Sequence, residues 1–461
     1  MKRTIGSTLP TLGALALVLA GCPSDRGSEG DTTGVPITSI GGDGISTSDA
    51  VDDGMDGGIL DLGGDGTGNA GDGGSGNCTP QPTNANLTGT VYAPNLEIPI
   101  SGALVYVTPE EPEPIPDGVY CSECVEIPCN ANYVLTEPDG SFDLPAVAGA
   151  GQKLVVTKGQ FMHVVDIDVA EGPNAIAAGQ SNLPGVWNPA EGLYIPRIAV
   201  VNTFNDTIFN ILGKIGLGQV DANGNLMNGS QQFELYDQPS GGALLDDLTA
   251  MRQYHIIFIP CMAQVSMGPL TQLRIENIRQ YVADGGKFYV TDWANEYLYE
   301  TFPSYQTLHD QAFDPDLGYY DTTGTVLDPD LLAWLQALPP ALKDIGGGNP
   351  NLLSLPQVEL VDNWSGIDAI PPVITQDMDG NDVDVGHHAW VEGPCNSCSD
   401  SGVRPMTISG EYGCGRMMFS TYHTAEVAHA GLTPQELILL YIILEIGVCH
   451  DAPPPPPPPV G

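Results

Sequence analysis

Ile278-Arg-Gln-Tyr-Val-Ala-Asp-Gly-Gly-Lys-Phe-Tyr-Val-Thr-Asp292 joins two hydrophobic periods in one short stretch. Ile278, Tyr281 and Val282 recur at helical spacing, Gly285-Gly286 stops the helix, and Lys287-Phe-Tyr-Val-Thr291 is a run with no polar alternation. An unalternating strand belongs in a sheet that is covered on both faces, which is the habit of parallel sheets. The same alternation of run and amphipathic helix extends in both directions. Upstream stand Arg197-Ile-Ala-Val-Val-Asn202, a helix over Asp206–Leu217 carrying Ile208, Ile211, Leu212 and Ile215, a helix over Leu244–Met251, the strand Tyr254-His-Ile-Ile-Phe-Ile259 and a helix over Leu270–Ala283. Downstream, Arg416–Tyr422 gives a late strand and Thr433–Ile446 a closing helix, with Pro434 and Glu436 in its first turn. The expected fold class over 195–450 is therefore an α/β doubly wound (flavodoxin-like) domain. A Pro- and Gly-rich irregular insertion is expected over 303–412, with short helical pieces such as Leu331–Leu335.

This order of elements resembles the class I glutamine amidotransferase-like fold. Tyr254–Pro260 is similar to the strand before that family's oxyanion loop, and Ile278–Gly286 to the helix before its nucleophile elbow. The resemblance implies a Cys after Lys287–Thr291, but Asp292-Trp-Ala-Asn295 stands there, without a flanking Gly to permit the strained turn. Thr421-Tyr-His-Thr-Ala-Glu426 is similar to the family's His-Pro-Glu, its acid one residue late. The catalytic candidates are thus His423, Cys261 at the end of a buried strand, and Asp292. For Cys261 the bland alternative is a small buried hydrophobe. For Asp292 it is a helix N-cap. Asp292 with His423 could also coordinate a metal or accept a proton.

Between 86 and 172 the pattern is one of short alternating strands: Leu87–Val91, Ala103–Val107, Tyr133–Thr136, Ser141–Leu144, Lys153–Thr157 and His163–Val169, separated by turn residues. A small antiparallel β-sandwich is expected there. Leu87-Thr-Gly-Thr-Val91, Ile100-Ser-Gly-Ala-Leu-Val105 and Thr136-Glu-Pro-Asp-Gly-Ser-Phe142 resemble the carboxypeptidase regulatory-like (transthyretin-like) domain, which implies a non-catalytic accessory. A Cys-rich insertion at 117–132 departs from that family and is expected to staple an edge loop.

Met1-Lys-Arg3 and the apolar run Leu9–Ala20 read as an export leader over 1–21, too short to span a bilayer. Leu19-Ala-Gly-Cys22 resembles the lipobox of bacterial lipoproteins, which implies lipidation at Cys22 and a membrane anchor without a transmembrane helix. Residues 22–78 are Gly, Asp, Ser and Thr with Arg26 as the sole basic residue, a composition expected to stay a disordered tether. Residues 451–461 form a Pro-rich tail. The expected location is exported, lipid-anchored, at the outer membrane or cell surface. A net charge of −43 with only 14 Lys and Arg opposes nucleic acid and anionic lipid as partners.

Nine of the ten Cys remain after Cys22: 78, 121, 124, 129, 261, 395, 398, 414 and 449. Export makes disulfides the expectation for Cys78, Cys121, Cys124, Cys129, Cys395, Cys398, Cys414 and Cys449. Cys121-x-x-Cys124 and Cys395-x-x-Cys398 also have zinc-hook spacing, with His387-His388 near the second pair; a solvated loop is the simpler account of those His. Asp377, Asp379 and Asn381 around Gly380 are similar in spacing to a calcium loop but lack its closing Glu, so a hairpin turn is expected. No cofactor is expected. Two functions follow: a non-catalytic surface protein binding a protein or carbohydrate ligand, which leads, or a hydrolase or amide-transferring enzyme using His423 with Cys261 or Asp292. The separation of those side chains discriminates them, because catalysis needs hydrogen-bond reach.

Overall fold

The computed structural model describes residues 82–121, 132–263, 266–309, 318–376, 380–400, 402–424 and 428–445. The leader, Cys22, the tether, Cys78, Cys124, Cys129, Asp377, Asp379, Glu426, Cys449 and the Pro-rich tail lie outside these residues. The strands are β1 (Ala85–Thr90), β2 (Leu104–Thr108), β3 (Tyr133–Leu135), β4 (Ser141–Ala146), β5 (Gly149–Lys158), β6 (Phe161–Val169), β7 (Gly172–Ala175), β8 (Leu193–Tyr194), β9 (Ile198–Val201), β10 (Glu234–Tyr236), β11 (Ile256–Ile259), β12 (Lys287–Thr291), β13 (Thr307–Leu308), β14 (Tyr320–Val326), β15 (Gln357–Asn363), β16 (Ile367–Ala369), β17 (Ile374–Gln376), β18 (Asp382–Asp384), β19 (His388–Pro394), β20 (Val403–Tyr412) and β21 (Gly415–Ser420). The architecture is mixed α/β, with several sheets and few helices. Among the described residues no helix is long and apolar enough to cross a membrane.

The alternating N-terminal strands build two sheets, β4-β1-β7 and β3-β2-β5-β6-β8. Their inward residues, Leu87, Phe142 and Leu144 from one and Val105, Leu154 and Val156 from the other, share a core. The pairing is antiparallel except between β1 and β7, which run parallel because the chain changes sheets after Val169. Pro138-Asp-Gly140 forms the turn before β4: Gly140 takes φ +76°, and a Cβ there would stand 2.6 Å from the Val91 carbonyl oxygen.

The second half forms one nine-stranded sheet, β10-β9-β11-β12-β21-β20-β19-β14-β15. The first five strands are mutually parallel. The last four join antiparallel. The expectation of an irregular 303–412 is corrected here: that stretch supplies β14, β15, β19 and β20, which extend the sheet. The unalternating runs explain the layers. Ile198, Val200, Ile256, Phe258 and Tyr289 face one side with the closing helix Pro434–Glu445 and the sandwich core. Ala199, Val201, Ile257, Ile259, Phe288 and Val290 face the other side with Ile278, Tyr281 and Val282 of the helix Gln272–Ala283. Both faces are thereby covered, as such runs require.

Polar contacts fix the sandwich to this sheet. The Trp334 Nε1–H donates to the Pro99 carbonyl at 2.9 Å, and Lys287 Nζ donates to Gln160 Oε1 at 2.6 Å. Cys121 is disulfide-bonded to Cys414, which ties the start of the Cys-rich insertion to the turn between β20 and β21. Gly285, at φ +111°, lets the chain pass there: a Cβ would stand 2.0 Å from the Tyr120 carbonyl oxygen. His255 completes the seam. Its Nδ1 accepts from the Arg197 N–H at 2.8 Å while its Nε2–H faces the Pro116 carbonyl at 3.0 Å.

Burial pushes the His255 imidazole down to about 4. The unfolded chain, with an ordinary value near 6.5, therefore binds the extra proton as pH falls from about 6.5 to 4, and stability is lost across that window. Urea unfolding of wild type against His255→Gln should show about 2 kcal/mol less acid sensitivity in the variant between pH 6.5 and 5. Equal slopes would refute this assignment.

Candidate functional site

Four adjacent parallel strands, β9, β11, β12 and β21, end on the same edge of the sheet, and the residues just beyond their carboxyl ends converge. These are Asp206 after β9, Cys261 after β11, Asp292 after β12, and His423 with Thr424 after β21; all five are fully buried. Ligand sites of open α/β sheets form at this edge, where neighbouring strands connect in opposite directions. Here that reversal lies between β9 and β11, because β10 flanks β9 on the other side.

Asp292 is the hinge of the arrangement. It takes φ +51°, in the left-handed region that Asp tolerates better than bulkier residues. That backbone turn brings its carboxylate inward: Oδ2 lies 2.6 Å from His423 Nδ1, and Oδ1 accepts from the Trp364 N–H at 3.0 Å. The expected N-cap role is corrected, since Asp292 lies inside the turn Asp292–Ala294, whose N-cap position is Thr291, and the N-cap position of the helix Glu296–Tyr299 is Asn295. The strained turn expected to need glycine is thus made by the acid itself. His423 is held from behind, its carbonyl accepting from Gln435 Nε2 in the closing helix at 2.5 Å.

Asp206 forms the floor. Its Oδ2 accepts from Thr291 Oγ1 at 2.5 Å and from the Cys261 N–H at 3.4 Å; its Oδ1 accepts from Thr424 Oγ1 at 2.5 Å and the Thr424 N–H at 3.2 Å. The Cys261 N–H is shared with Thr291 Oγ1 at 2.9 Å. Cys261 is a buried thiol outside the disulfides. One ligand-type atom each from Cys261, Asp292 and His423 lies within 4.8 Å of the other two, the one such grouping of three among the described residues. The structure therefore brings together all three catalytic candidates. A hydrogen bond to Nδ1 orients the ring and leaves Nε2 as its basic atom, which suits proton transfer.

No protein-family model matches the chain, and no curated protein is similar to it. Solved structures give distant likenesses. A cytoplasmic protein from Salmonella typhimurium aligns at 9% identity and TM-score 0.31, covering 54% of this chain and 98% of that one. A putative ThuA-like protein from Bacteroides uniformis aligns at 12% identity and TM-score 0.30, covering 54% and 89%. A β-galactosidase from Bacillus circulans sp. alkalophilus aligns at 12% identity and TM-score 0.25, covering 54% and 30%. Likenesses at this level carry no functional argument.

The other sequence candidates lie elsewhere. Cys395 and Cys398 are bonded to each other and Cys121 to Cys414, which corrects the zinc-hook alternative. His387 faces Gln306 Oε1 at 2.8 Å and His388 opens β19 facing Asp328 at 3.3 Å, so neither stands in a solvated loop. Asn381 is exposed beside β18, which pairs antiparallel with β17 as a hairpin. Sequence reasoning missed Asp206, Thr291, Thr424 and Trp364 as parts of the site. Asp206 is the first acidic residue beyond the carboxyl end of β9, but its position reads in sequence only as a helix start.

Proposed function

We propose that this chain is a membrane-anchored surface lipoprotein whose folded part binds a protein or carbohydrate ligand rather than turning over a substrate. The observation that carries the reading is Asp292. It occupies the place where an amidotransferase-like nucleophile would stand, both of its oxygens are engaged, and it is buried together with His423 and Cys261. A nucleophile has to meet its substrate, and this one is turned inward as a structural clamp. The strand order β10-β9-β11-β12-β21, which is 2-1-3-4-5 in the order of these strands along the chain, supports a doubly wound, flavodoxin-like reading of the parallel half. Lipidation at Cys22 and outward display on the acidic tether rest on the leader and lipobox. Metabolic labelling with an alkyne fatty acid should mark the wild-type protein and be lost in Cys22→Ser; equal labelling would refute the anchor.

The 2.6 Å Asp292–His423 contact favours a second reading, a hydrolase or amide-transferring enzyme in which Asp292 orients His423 and Cys261 attacks. Hydrolysis of p-nitrophenyl acetate and of glutamine decides between them. Wild type, His423→Ala and Cys261→Ala are expected to be indistinguishable. A loss of 100-fold or more in either variant, on the order expected for removal of a general base, would replace the binding reading with the enzymatic one.

A further inference from the structure

We propose that Cys261, Asp292 and His423 form a binding centre for a single divalent transition-metal ion of the zinc type. The donor set makes the chemical choice. Hard ions such as calcium and magnesium take oxygen ligands throughout, whereas a thiolate, an imidazole and a carboxylate together suit zinc or cobalt. The spacing agrees, because each ligand-type atom lies within 4.8 Å of the other two. In a tetrahedral site with bonds near 2.0–2.3 Å, neighbouring ligand atoms stand roughly 3.3–3.8 Å apart. The present 2.6 Å contact between Asp292 and His423 is the spacing of a shared proton. Bridging the same two atoms with an ion opens it by roughly 0.7 Å, a small side-chain rotation.

The supporting shell is already built. The three ligands come from the ends of three neighbouring strands, β11, β12 and β21, so the sheet fixes their separation. The Trp364 N–H holds the second oxygen of Asp292, Thr291 Oγ1 takes the Cys261 N–H, and Gln435 holds the His423 carbonyl. Such outer partners orient metal ligands and tune affinity. The left-handed turn at Asp292 also has a use in this reading, since it aims a carboxylate at the His423 ring. Loading sends the Cys261 thiol proton to solvent and leaves the imidazole's single proton on its non-ligating nitrogen. The ion's two positive charges then balance one thiolate and one carboxylate. Three protein ligands leave the fourth position for a water molecule. This proposal is independent of whether the protein is catalytic.

The test uses the full-length chain, stripped with a chelator and titrated with Co2+. The expected result is a thiolate-to-cobalt charge-transfer band and intense visible bands of four-coordinate cobalt, saturating at one equivalent. Cys261→Ser should abolish the charge-transfer band, and Asp292→Asn and His423→Ala should each weaken Co2+ binding tenfold or more, with circular dichroism as the folding control. No charge-transfer band in the wild type, or a band that survives in folded Cys261→Ser, overturns the proposal. If Cys261→Ser does not fold, unchanged Co2+ affinity in both other variants overturns it, and a tenfold loss in either supports it.

Discussion

Asp206→Ala should cost about 4 kcal/mol of stability, the largest effect of any single side chain at the strand ends. Each oxygen of this buried carboxylate accepts two donors, from Thr291 and Cys261 on one side and twice from Thr424 on the other. The two hydroxyls could seek other acceptors after truncation, but the backbone N–H of Thr424 cannot move without moving the chain beside His423. Hydrogen bonds to a charged group are worth roughly 1.5–3 kcal/mol each, and removal of the acceptor adds the cost of buried donors left unmet. Asp206→Asn is the sharper variant. Its amide NH2 must replace one oxygen, and either choice sets two donors against donors, so about 2 kcal/mol should still be lost despite the conserved shape. Urea unfolding measures both. A double-mutant cycle with Thr424→Val should return a coupling on the order of 1 kcal/mol or more. Additive losses would mean that Asp206 acts only as volume.

Opening the Cys121–Cys414 bridge should have an effect of similar size, by another route. The bond joins residues 293 apart in sequence, so it removes an unusually large amount of chain entropy from the unfolded state. The loop-closure relation puts its ceiling at roughly 6 kcal/mol. The paired variant Cys121→Ser with Cys414→Ser avoids an orphan thiol and should unfold at markedly lower urea, with the same slope if the native fold persists. A loss under about 1 kcal/mol would show that Tyr120 against Gly285 and His255 against Pro116 already hold this segment without the covalent bond.

What the sequence made legible, and what it hid, follows from the range of each interaction. Lys287–Thr291 and Tyr254–Ile259 announce buried strands because their apolar runs lack polar alternation, and the sheet holds strands at Lys287–Thr291 and Ile256–Ile259. β14 escaped notice because Tyr320-Asp-Thr-Thr-Gly-Thr-Val326 lays Thr322 and Gly324 between Tyr320 and Val326 on its buried face, so its alternation is one of exposure rather than of hydrophobicity. His423, Cys261 and Asp292 could each be suspected singly, since each follows a recognisable strand. That Cys261 reaches the other two needed the strand order β11-β12-β21, which sets its strand beside theirs. The role of Asp206 needed the same knowledge. The Cys121–Cys414 pairing was beyond sequence for a combinatorial reason, because eight candidate thiols admit too many pairings for spacing to choose among them.

β21 is the fifth of nine strands in the sheet and the last to be synthesised. It lies between β12, its parallel neighbour, and β20, its antiparallel one. Until residue 420 has been delivered, the sheet exists only as two unjoined halves, each with an open edge that could pair with another chain. A keystone placed last makes the fold all-or-nothing with respect to delivery: a chain handed over from its amino end cannot close its sheet early, and one cut short before Gly415 leaves both open edges exposed.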